Sequence, residues 1–159
     1  MTVKVGDTLP SGSLAFMGDN GPESITTEAL CSGKKIVLFA VPGAFTPTCS
    51  ESHLPGFVAN ADKILAKGVD RIVCMSVNDP FVMGAWGKSQ NAEHLLMAAD
   101  GSATFTRALG LELDLIERGL GIRSQRFSMI VDNGTITHLN VEEGPVFEVS
   151  SAENILQQL

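Results

Sequence analysis

The chain has 159 residues, 44% of them hydrophobic and 18% charged. That is enough apolar material for a buried core and too little charge for a disordered polymer. A net charge of −7 argues against nucleic-acid binding through phosphate neutralisation.

In chain order, Val3 to Leu9 and Ser13 to Met17 read as short extended pieces with turns at Pro10 and Gly18. Lys35 to Val41 (KIVLFAV) is a nearly continuous apolar run, expected as a strand buried on both faces. After a Pro-Gly loop, Leu54, Phe57, Val58, Ala61, Ile64 and Leu65 recur at helical spacing. Pro55 predicts a late start or a bend in that helix, and Gly68 its end. Asp70 to Val77 is a second buried strand, completing a right-handed βαβ unit. Asp79-Pro80 opens the next helix as N-cap and first helical residue.

Glu93 to Ala98 and Ala103 to Leu109 also read as helical, the latter closed by Gly110. Arg126 to Asp132, Asn133-Gly134 and Thr135 to Val141 form a β-hairpin with a type I′ turn. Ser150 and Glu153 have capping-box spacing for a last helix. The order predicts an α/β protein, a thioredoxin-like fold with a central mixed sheet flanked by helices. No repeat, low-complexity tract or linker divides it, so one domain over 1–159 is expected.

Met1 to Asp7 lacks the basic start and apolar core of a secretory signal, and no apolar run nears the roughly 20 residues that span a bilayer. The expected location is cytoplasmic. Three widely spaced cysteines, Cys31, Cys49 and Cys74, do not make a disulfide scaffold. There is no Cys-x-x-Cys or His-x-x-x-His pair for a structural zinc.

Most lone cysteines are packing residues. Cys49 differs in position, because it sits where the loop after the first core strand becomes a helix. Unpaired N–H groups and the helix dipole favour a thiolate there. Pro42 and Pro47 stiffen the loop, and Gly43 permits close backbone approach. Thr46, three residues before Cys49, offers one donor and two acceptor lone pairs, or simply caps the helix.

The segment Pro42 to Phe57 (PGAFTPTCSESHLPGF) resembles the active-site signature of type II (atypical, peroxiredoxin-5-like) peroxiredoxins. So do Val73 to Trp86 (VCMSVNDPFVMGAW), Gly119 to Gly134 (GLGIRSQRFSMIVDNG) and Asn140 to Gly144 (NVEEG). The resemblance implies that Cys49 is the peroxidatic cysteine, that Thr46 orients the peroxide and that Pro42 shields the thiolate. It assigns Arg126 to stabilising thiolate and transition state. A guanidinium stays charged and presents a fork of donors, which suits that task. The implied activity is thiol-dependent reduction of hydrogen peroxide and alkyl hydroperoxides, with Cys49 becoming a sulfenic acid and no metal, flavin or other cofactor required.

A second thiol must regenerate Cys49. Animal-type members carry a resolving cysteine after the NVE block, but Gly144 to Ala152 (GPVFEVSSA) has none. Cys74, 25 residues after Cys49, matches the second cysteine of plant and many bacterial members, and equally reads as an inert strand residue. Glutathione with glutaredoxin, or thioredoxin, is the alternative reductant. Cys31 reads as incidental.

His53, four residues after Cys49, raises a competing Cys–His hydrolase. No orienting Asn or Asp is evident, and a helix-packing or surface role is expected for His53. His94 and His138 read as structural. Glu51 is read as a hydrogen-bond partner of Arg126 or as a first-turn helix acid. A noncatalytic redox sensor on the same fold is the other alternative. The family further implies a noncovalent homodimer formed through loops near the active site; Phe45, Phe81 and Trp86 read either as apolar contributors to it or as core residues.

Overall fold

The computed structural model describes residues 1–159. Nine strands form a seven-stranded sheet of order β2-β1-β5-β4-β3-β8-β9 and a separate β6-β7 hairpin. The large sheet comprises β1 (Ser13–Gly18), β2 (Gly21–Thr26), β3 (Lys35–Val41), β4 (Arg71–Ser76), β5 (Leu95–Ala99), β8 (Phe127–Asp132) and β9 (Thr135–Val141). The small one joins β6 (Glu112–Leu115) to β7 (Gly121–Ser124). β3, β4 and β5 run parallel, and β1 and β8 flank them antiparallel, making the sheet mixed.

Alternation along β3 explains the two layers. Val37, Phe39 and Val41 face one side with α2 (Leu54–Ala66), α3 (Pro80–Ser89) and α5 (Ala152–Gln158). Ile36, Leu38 and Ala40 face the other with α1 (Thr27–Cys31) and α4 (Thr104–Leu109). Period-two side chains on a strand with both faces covered give the unbroken apolar run read in KIVLFAV.

Local signals were realised where chemistry decides them. Asp79 caps α3, its carboxylate accepting from the Val82 N–H at 2.8 Å. Asn133 and Gly134 turn the β8–β9 hairpin at φ 49° and 85°, the positive angles such a turn needs. Gly68 follows α2 at φ 92°.

Other expectations require correction. Glu93 to Ala98 is not helical, because Leu95–Ala99 pairs with β4 from Ile72↔Leu95 to Ser76↔Ala99. Long-range pairing there overrides the helix propensity of Leu, Met and Ala. Val3 to Leu9, read as a short extended piece, lies along the β8–β9 hairpin through the bridge Thr8↔Thr135 and backbone bonds at Gly6, Asp7 and Leu9. The capping residue of α5 is Ser151, which accepts from the Asn154 N–H at 3.1 Å; Ser150 faces inward instead. The hairpin partner β2 had no apolar alternation to announce it, since most of its residues are exposed.

Pro55 has a specific consequence. It has no N–H to give, and the chain widens into a π-helical turn over Cys49–His53 before α2 opens at Leu54. The Leu54 N–H reaches the Cys49 carbonyl. Helical structure therefore begins before Pro55, and the proline sits in the first turn of α2.

Candidate active site

Cys49 lies just beyond the C-terminal end of β3, with its side chain fully buried on the α2 face. Pro47 begins the helical turn, and the Ser50 N–H donates to the Thr46 carbonyl at 2.9 Å. Cys49 is thus in the first turn of a helix, at its positive end.

Sheet register supplies the cation. β8 pairs antiparallel with β3 through Ala40↔Phe127, which places Arg126 opposite the end of β3. Its Nη2 donates to Cys49 Sγ at 3.0 Å, and Arg126 itself is buried. The buried guanidinium sets a permanent positive charge and an N–H donor against the sulfur.

Arg126 Nη1 donates to His53 Nδ1 at 2.9 Å, and His53 Nε2 donates to the Ser150 carbonyl at 2.9 Å. A carbonyl only accepts, so the proton of a neutral imidazole is on Nε2 and the Nδ1 lone pair faces Arg126. Burial, and secondarily the Arg126 charge, push the His53 pKa down to about 3. Phe39, Phe57 and Phe147 surround its ring at centroid distances of 4.9, 5.6 and 4.9 Å. A neutral partner leaves the charge of Arg126 available to the sulfur. The Phe147 ring also lies 5.9 Å from Arg126 Cζ, in cation–π range.

These contacts decide three readings that the sequence left open. His53 is not a surface residue, and with both nitrogens engaged and its basicity lost it cannot serve Cys49 as the base a hydrolase needs. Glu51 is exposed and makes no bond to Arg126, whose partners are His53 and Cys49; it stands as an acid in the first helical turn, the other reading of it. Trp86 is fully buried, its Nε1 donating to Ser50 Oγ at 3.0 Å, which removes it from any surface. His53 had a sequence signal: Cys49, His53 and Phe57 recur every four residues, so the histidine falls on the buried stripe.

The other expected residues line the loop. Thr46 Oγ1 donates to the Gly43 carbonyl at 2.7 Å, which fixes the hydroxyl while its lone pairs stay open to accept a proton donor. Arg123 Nη1 donates to the Pro42 carbonyl at 3.2 Å. A side chain at Gly43 would meet that guanidinium at 2.8 Å, so the close approach anticipated there is real.

Cys74, in the middle of β4 opposite Phe39, is fully buried on the same face as Cys49. Burial holds its thiol well above the usual cysteine range, and Cys49 adds to the shift. Cys31 is also buried, and burial pushes its thiol up. All three cysteines are free, and no cluster of ligating residues suits a metal.

The sequence model of the Redoxin family matches residues 4–156. The chain belongs to that family. It is 52% identical to Peroxiredoxin-2D of Arabidopsis thaliana, over 99% of this chain and 98% of the relative. Peroxiredoxin-2C of Oryza sativa subsp. japonica is 55% identical with the same coverage. The solved structure of reduced Prx3 from Vibrio vulnificus in complex with hydrogen peroxide superposes with a TM-score of 0.96, at 56% identity and 99% coverage of both chains. The protein is a type II peroxiredoxin with the thioredoxin-like fold, and its activity is that of a thiol peroxidase.

Proposed function

We propose that Cys49 is the peroxidatic residue of this enzyme, acting on hydrogen peroxide and alkyl hydroperoxides in antioxidant defence and redox homeostasis. The observation that carries this is the 3.0 Å bond from Arg126 Nη2 to Cys49 Sγ. The sulfur attacks one peroxide oxygen, a new S–O bond forms and the O–O bond breaks. The other oxygen leaves as water or an alcohol after taking up a proton, and Cys49 becomes a sulfenic acid. Thr46 accepts from the peroxide O–H and so aims it along the attack line. Arg126 stabilises charge as it moves from sulfur to the departing oxygen. Pro42 closes the loop against water. That the Vibrio relative was solved with hydrogen peroxide bound supports the choice of substrate.

Regeneration falls to an external thiol, glutathione with glutaredoxin or thioredoxin. Cys74 is a poor resolving residue: it is a buried, neutral thiol in a strand paired on both sides, and only local unfolding of β4 would release it. We further place the protein in the cytoplasm, where three unbridged cysteines are at home. The assembly is a homodimer, its contact built around Phe45 and Phe81, which are 56% and 63% exposed beside the active-site loop and at the start of α3.

The test is steady-state peroxide consumption with each reductant system for the native protein, Cys49→Ser and Cys74→Ser. Turnover abolished in Cys49→Ser and retained in Cys74→Ser is expected. Loss of turnover in Cys74→Ser under glutaredoxin would establish the intramolecular route instead.

A further inference from the structure

The hydrogen bonds that reach Cys49 do not stop at His53. Beyond it, the Ser150 carbonyl sits in a turn organised by one buried carboxylate. Glu142 Oε2 accepts from the backbone N–H groups of Glu148, Val149 and Ser150, each at 2.9 Å, and from Ser150 Oγ at 2.6 Å. Glu142 is buried and has no cationic partner, since the only ion pair in the chain is Lys4–Asp7. Three backbone N–H dipoles and one hydroxyl take the place of a cation. Its own N–H donates to the Arg126 carbonyl at 3.0 Å. The carboxylate is therefore tied to Arg126 directly through the backbone, and to its side chain through Ser150 and His53.

We propose that Glu142 is a positioning residue of the peroxidase reaction: its carboxylate fixes the Ser150 carbonyl, the carbonyl selects the Nε2-protonated form of His53, and His53 holds the Arg126 guanidinium against Cys49. The proposal rests on the reading of Cys49 as the attacking sulfur. A carboxylate is needed because four donors converge on it. A neutral amide of the same shape accepts more weakly and turns its own N–H₂ toward other donors. Releasing the turn frees the Ser150 carbonyl, and His53 loses one of the two contacts that set its proton position, keeping only the Arg126 donor at Nδ1. The other form presents an N–H to a guanidinium N–H, and the fork loses its anchor. Phe147, in the same segment, loses its place over Arg126 and His53.

A loop anchor with no bearing on chemistry makes different predictions. In Glu142→Gln, the single-turnover rate constant of Cys49 with hydrogen peroxide should fall by up to about 10²-fold, the scale of a misplaced catalytic group. The double variant Glu142→Gln/His53→Gln should be no slower than His53→Gln alone, because both changes break one chain of contacts. By ¹⁵N NMR, His53 in the native protein should show one form protonated at Nε2, and Glu142→Gln a mixture. Ser151→Ala, which removes the α5 cap and leaves these contacts intact, should lower stability and keep the native rate. Ser150→Ala, a milder cut that deletes only the 2.6 Å arm, should show the same mixture if Glu142→Gln does not fold. A native rate with a single His53 form in Glu142→Gln, or in Ser150→Ala where it must stand in, overturns the proposal, as do additive losses in the double variant. If Cys49→Ser still consumes peroxide, the reading of Cys49 fails by itself, and the His53 spectrum still decides whether Glu142 sets the proton position.

Discussion

Cys49 and Cys74 are both fully buried, on the same face of the same sheet, within one hydrophobic cluster. They differ in what touches them. Cys49 sits in a helical first turn with Arg126 Nη2 on its sulfur. Cys74 sits in the middle of β4, with burial raising its pKa and no donor aimed at it. Burial alone therefore does not make a cysteine inert or reactive. The difference we propose as decisive is the direct N–H bond from Arg126 to Cys49, since the same charge reaches Cys74 only as a minor opposition to burial.

The comparison is broken most severely by removing the cysteine proposed to react. Cys49→Ser should abolish peroxide consumption, measured by peroxide-dependent oxidation of the reductant, while the fold persists by circular dichroism. Removing the charge should make Cys49 behave like Cys74. For Arg126→Gln the peroxide rate constant should fall by about 10²–10³-fold, as for loss of a transition-state donor, checked by stopped-flow mixing.

A third test addresses His53, whose neutrality leaves the charge of Arg126 intact. Its native pKa, about 3, lies below the ordinary 6.5. As pH falls through that window, the unfolded chain binds a proton that the native protein does not. This group's contribution to stability is thus lost with falling pH, by about 1.4 kcal/mol per pH unit inside the window. Denaturant unfolding between pH 6.5 and 4 should show that slope, and His53→Gln should flatten it.

The smallest effect is expected at the other cysteine. Cys74→Ser places a hydroxyl in an apolar strand and should cost about 1–3 kcal/mol in urea unfolding. Its peroxide rate constant should stay within about 2-fold of native, since surface opening rather than chemistry is all that changes.

The sequence made some of this legible and hid the rest for a definable reason. KIVLFAV, the Asp79-Pro80 start and the Asn133-Gly134 turn are local statements, each settled by a few neighbouring residues. The proton donor fork at Cys49 is not local. Arg126 arrives 77 residues later through the register Ala40↔Phe127, and only the family resemblance named it in advance. His53 was visible on the Cys49–Phe57 stripe, but its partners Ser150 and Arg126 come from distant segments. β5 was misread because its Leu-Met-Ala composition suits a helix, and its strand state depends on β4. Glu51 read equally as a partner of Arg126 or as a first-turn helix acid, and the π turn decides for the second by leaving it exposed and turning His53 inward.

The most direct test of the central claim is site-resolved oxidation. One equivalent of hydrogen peroxide would be added to the fully reduced protein, followed at once by a sulfenic-acid trap, a thiol-blocking reagent and peptide mass spectrometry. The trap should appear on Cys49 alone, with Cys74 recovered as a free thiol. Oxygen arriving first on Cys74, or equally on both, would contradict the assignment of reactivity to the cation beside Cys49.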